Sequence, residues 1–138
     1  MEQKLNINSI LKSDNNNPIK IGELNNKVIS ALNLNCSPRN ILLTADRIYH
    51  CEKHKNQYKD ENSYNISMTN IPEIISNPDY IGFNESNNSI QYVKKLEDTT
   101  LVAVRISYKG SLRLRTIFPL TEFDLNKKIV SRKLISYN

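Results

Sequence analysis

Residues 100–120 read TLVAVRISYKGSLRLRTIFPL. Apolar side chains alternate with charged or hydroxylated ones in two runs, and Lys109-Gly110 between them is a turn signal. The stretch therefore predicts an antiparallel hairpin. Period two places Val102, Val104, Ile106 and Tyr108 on one face of the first strand, with Arg105, Ser107 and Lys109 on the other. In the second run Leu112, Leu114, Thr116 and Phe118 share a face opposite Arg113 and Arg115. How Arg105 and Thr116 sit relative to each other depends on strand register, which alternation does not supply.

Outward from the hairpin, SIQYVKKL and DYIGFNE read as two further strands, with Asn87-Asn88 as their turn. Before them, SMTNIPEIISNP predicts a short helix over about 71–76. Asn70 stands at the cap, Pro72 in the first turn and Pro78 at the stop. DENSYN reads as a polar gap. DRIYHCEKHKNQYKD predicts a helix over 46–60 capped by Thr44 or Asp46. ILLT, 41–44, is compatible with a short strand. In IKIGELNNKVISALNL the residues Ile21, Leu24, Val28, Ile29 and Leu32 recur at helical spacing. KKIVSRKLISY fits a strand or a helix. The reading is an α+β fold, with N-terminal helices packed on a roughly four-stranded antiparallel sheet. Residues 1–17 are expected to be a flexible segment, and 18–138 a single domain large enough for one core.

Net charge is +5, and it is unevenly distributed. Residues 1–100 carry 11 Lys+Arg against 12 Asp+Glu, a net of −1; residues 101–138 carry 8 against 2, a net of +6. Such clustering points to a polyanionic partner, a nucleic acid or an anionic membrane surface; the alternative is a solvated basic tail. Cys36 and Cys51 follow no apolar leader, which predicts reduced thiols in the cytoplasm. No apolar run reaches membrane-spanning length. The 20 asparagines are interleaved with apolar pairs and carry no function by themselves.

Both histidines of the chain lie in IYHCEKH, 48–54. On an α-helix His50 and His54 stack one turn apart on one face. As a zinc site the pair lacks a third ligand, and Glu52 does not occupy the second position of H-E-x-x-H; neither a metal nor a cofactor is predicted. As acid and base, two imidazoles suit metal-free cleavage by attack of a ribose 2′-hydroxyl, which also needs cations around the phosphate. The alternative is a pair of ordinary surface residues.

Residues 41–120 resemble the phage-associated branch of the Barnase–EndoU–colicin–RelE-like nucleases. The resemblance runs through ILLTADRIYHCEKH, the helix and exit IPEIISNPDYIGF, then YVKKL, LVAVRIS and LRLRTIF, in that order. It implies helices packed on a four-stranded antiparallel sheet and nuclease activity, with RNA as the expected substrate. It matches His50 and His54 to the family's helix histidines, Arg105 to a basic residue on the penultimate strand and Thr116 to a hydroxyl on the last. The expectation is a metal-independent endoribonuclease, a toxin-like effector of a phage or mobile element, with a cognate inhibitor protein as a partner. His50 and His54 share the base and acid roles, with His54 the more dispensable. Arg105 stabilises the phosphorane, Thr116 hydrogen-bonds a phosphate oxygen, and Lys109, Arg113 and Arg115 hold the RNA backbone. Two alternatives stay open: a non-catalytic RNA- or protein-binding module, such as a phage inhibitor of a host system, and a zinc-dependent hydrolase.

Overall fold

In the computed structural model, which describes residues 4–11, 17–107 and 110–137, the four alternating runs form the middle of a wider sheet. They are β3 (Tyr80–Asn84), β4 (Ser89–Lys95), β5 (Thr99–Arg105) and β6 (Leu112–Pro119), each antiparallel to the next. Three further strands extend it: β1 (Ile19–Leu24), β2 (Arg39–Leu43) and the short β7 (Ile135–Ser136). The order is β1-β2-β6-β5-β4-β3-β7. The sheet is thus seven-stranded and mixed rather than four-stranded and antiparallel, because β2 joins β6 in parallel.

Ile21 and Leu24 belong to β1 and not to a helix. A bulge between Lys20 and Gly22 makes Ile21 an extra residue against β2, so the buried positions fall three apart and imitate helical spacing. Helix α2 (Asn26–Ala31) begins only where the Asn25 side chain accepts from the Val28 amide, 2.9 Å away. Helix α1 (Ile7–Leu11) precedes β1.

The polar run at 61–69 is helix α4 (Glu61–Thr69), capped by Asp60. It reads as a gap because its buried face includes Ser63 and Ser67. Each finds a partner: Ser63 donates to Asp98 at 2.6 Å, and Ser67 pairs with Thr100 at 2.7 Å. Helix α5 (Ile71–Ser76) falls where Pro72 and Pro78 predict it, although the Asn70 side chain donates to the Ile66 carbonyl and caps nothing. The C-terminal run is both helix and strand, α6 (Glu122–Val130) followed by β7.

The middle strands are covered on both faces. Ile90, Tyr92, Val102, Val104, Leu112, Leu114 and Ile117 face the main core with α2, α4 and α5. Val93, Leu101 and Ala103 face a second core closed by Leu125 of α6 and by Leu134. The connection to β7 passes so close to β3 that a Cβ at Gly82 would overlap the Lys133 carbonyl oxygen. The far ends of β5 and β6, where Arg105 and Arg113 stand exposed, leave the sheet open.

Candidate active site

β2 pairs with β6 over only two positions, Ile41 with Leu112 and Leu42 with Arg113. The chain then leaves the sheet through Thr44, whose hydroxyl donates to the Asp46 carboxylate, and becomes helix α3 (Ala45–Cys51). This helix lies along β6, where Ile48 and Cys51 anchor it in the core. The Arg47 guanidinium donates to the Arg115 backbone carbonyl, an acceptor on the stretch of β6 that β2 has left.

A second bulge decides the other wall. Val104 pairs with Leu114 and Ala103 with Thr116, leaving Arg115 as the unpaired extra residue. The alternation of β6 therefore slips by one. Leu114 and Ile117 both reach the main core, and Arg115 joins Arg113 at the opening. Arg105 and Arg113 are direct cross-strand partners. Like charges placed opposite each other repel, and among the described residues neither guanidinium forms an ion pair.

Between α3 and these strand ends lies an open cleft of about 710 Å³. His50 lines it together with Arg47, Arg105, Arg113 and Arg115, beside Thr44 and Asp46. Four guanidinium groups thus stand against one carboxylate. The His50 pKa is lowered from its ordinary value, first by partial burial and then by the charges of Arg47, Lys53, His54 and Arg115. The imidazole is therefore held neutral at neutral pH, with a lone pair able to take a proton.

His54 does not line the cleft. The α-helix ends at Cys51 and continues as a 3₁₀ helix (Glu52–Gln57), whose residues turn by about 120° instead of about 100° each. The expected stacking on one face is lost. His54 Nδ1 pairs with Gln57 at 2.9 Å, and its ring packs 5.8 Å from that of Phe118. Thr116 is also outside the cleft lining. Its hydroxyl oxygen is buried without a hydrogen-bond partner of full geometry and faces the Cys51 thiol, whose pKa burial pushes up to about 11. Lys109 lies outside the described residues.

Of the sequence-predicted residues, the cleft thus gathers His50, Arg105, Arg113 and Arg115. Arg47 was missed because it lies outside the basic C-terminal quarter; its signal was its place three residues before His50, on the same helix side. Among the described residues no three of His, Cys, Asp and Glu come together as a possible metal cage. Nor is any helix among them long and apolar enough to cross a membrane.

A helix-flanked sheet with a histidine facing arginines across a cleft is an arrangement suited to chemistry on a phosphodiester. Residues 19–127 match the family described as phage-Barnase-EndoU-ColicinE5/D-RelE like nuclease3. That span is most of the chain, which belongs to this nuclease family. No protein of curated function and no solved structure matches it.

Proposed function

We propose that the protein is a metal-independent endoribonuclease acting by 2′-hydroxyl transesterification. The observation that carries this reading is His50, its pKa lowered, facing Arg105, Arg113 and Arg115 across one open cleft, with Arg47 beside it on α3. His50 takes the 2′-hydroxyl proton, and the 2′-oxygen forms its bond to phosphorus as the bond to the 5′-oxygen breaks. The products are a 2′,3′-cyclic phosphate and a 5′-hydroxyl, the leaving oxygen being protonated from solvent in the open cleft. Arg105 and Arg115 neutralise the charge that gathers on the phosphorane, and Arg113 and Lys109 hold the flanking backbone. His54 acts through its charge on His50 without touching substrate. Thr116 is given no contact with substrate. Acting on cytoplasmic RNA, such an enzyme serves a phage or mobile element as a toxin-like effector, with a cognate inhibitor protein as its natural partner.

The test is incubation of the purified protein with single-stranded RNA and with DNA of the same sequence. RNA fragments ending in cyclic phosphate, DNA left intact, and loss of cleavage in His50→Ala are expected. Intact RNA under all conditions sinks the enzymatic reading. A second reading, RNA binding without cleavage on the same fold, is favoured by the presence of a single histidine in the cleft; salt-dependent binding with no products would establish it.

A further inference from the structure

Gln91 interrupts the apolar run of β4 and is 7% exposed. Among the described residues its carboxamide has no hydrogen-bond partner, a costly state for a buried group that both donates and accepts. It lines a depression of about 420 Å³ that shares no residue with the His50 cleft. Gly82 is the cross-strand partner of Gln91, and the Lys133 carbonyl passes over Gly82. Beyond helix α6, Arg132 stands in the left-handed region at φ 63°, and the Lys133 amide donates to the Lys128 carbonyl at 2.9 Å. This turn brings both lysines to the wall of the depression, together with Phe83 and Glu85. Lys128 is half-buried, and among the described residues neither ammonium group, nor the Glu85 carboxylate, belongs to an ion pair.

We infer that this depression is a binding site for a free nucleoside 5′-monophosphate, with adenine as the preferred base. A phosphomonoester carries close to two negative charges at neutral pH, which two ammonium groups match; the diester of a strand carries one. A carboxamide donates and accepts side by side, the pattern that N6 and N7 of adenine complete. Glu85 accepts from the ribose hydroxyls, and the Phe83 ring gives the base an apolar contact. The volume falls within the range of about 300–1,000 Å³ usual for small-molecule sites. The site stands apart from the chemistry assigned to His50, and either holds without the other.

The experiment titrates adenosine 5′-monophosphate and ribose 5-phosphate, equal in charge, into the full chain and follows the Gln91 side-chain amide by NMR. Adenosine monophosphate is expected to bind about tenfold more tightly and to shift that resonance, which ribose 5-phosphate leaves in place. Gln91→Met is expected to bring the two affinities together, and Lys128→Ala with Lys133→Ala to weaken both by about tenfold or more. Should Gln91→Met not fold, the wild-type resonance and the lysine variant decide. An unmoved Gln91 resonance, equal affinities in the wild type, or affinities unchanged in the lysine variant overturn the site. 2′-Deoxyuridylyl-adenosine, which carries adenosine on a diester and cannot be cleaved, is expected not to displace the monophosphate from Gln91. Displacement at equal concentration overturns the assignment to a free nucleotide and gives the depression to the end of a strand.

Discussion

His50 sits where helix α3 ends beside β6, and its surroundings prescribe how activity follows pH. Partial burial and four positive neighbours lower its pKa from the usual histidine value of 6.5. The neutral, proton-accepting form therefore persists to lower pH than in free histidine. Cleavage should rise with pH along a limb whose midpoint lies below 6.5 and be level by neutrality. His50→Ala should lower the rate by about 10²- to 10⁴-fold and abolish that limb. His54→Ala should act differently. It removes one of the charges that depress His50, so the midpoint should move up toward 6.5 while the catalytic base stays in place. A pH–rate profile of each variant checks both outcomes, and an unmoved midpoint in His54→Ala would remove His54 from the mechanism.

Elements owe their placement here to small, exact spacings. Strand β3 runs beneath the Lys133 carbonyl, and Gly82 is the residue that allows it. Gly82→Ala should destabilise the fold by about 1–3 kcal/mol through overpacking, read as a lower midpoint in denaturant with unchanged slope. Helix α4 docks through hydroxyls, and the Ser67–Thr100 pair is fully buried. Ser67→Ala leaves Thr100 its contact to the Asp98 carbonyl at 3.0 Å, so its loss should be near the low end of about 1–3 kcal/mol. The β6 bulge matters most for function. It turns Arg115 toward the opening while leaving Leu114 and Ile117 in the core.

Across the whole molecule, five basic residues of the C-terminal quarter fall into two groups. Arg105, Arg113 and Arg115 line the cleft, whereas Lys128 and Lys133 line a separate depression beside Phe83 and Gln91. Arg113→Ala with Arg115→Ala should weaken RNA binding and flatten its salt dependence, each lost phosphate contact reducing the slope by about 0.7 on a single strand. Lys128→Ala with Lys133→Ala should leave the slope nearly unchanged. Fluorescence anisotropy at several salt concentrations separates the two pairs. Cleavage, if present, should persist in EDTA, since no three metal-binding side chains gather among the described residues.

Four strands, helix α5 and the pairing of His50 with Arg105 as candidates were legible in the sequence alone. Alternation, proline placement and residue chemistry are local properties, and the hairpin residues 100–120 express them strongly. The family was legible for a related reason, since its motifs follow one another in order along the chain. What tertiary structure alone decided were matters of pairing at a distance. Strand β1 took its apolar residues from an apparent helix, because a bulge against β2 imposed spacing three on a strand. The buried face of α4 looked polar because its serines meet partners 33 and 35 residues away. His54 was turned out of the cleft by a 3₁₀ segment packed on Phe118, Thr116 was sealed beneath Cys51, and Arg47 was brought in by docking α3 along β6. Register, bulges and helix docking minimise the free energy of contacts far apart in sequence, so no window along the chain contains them.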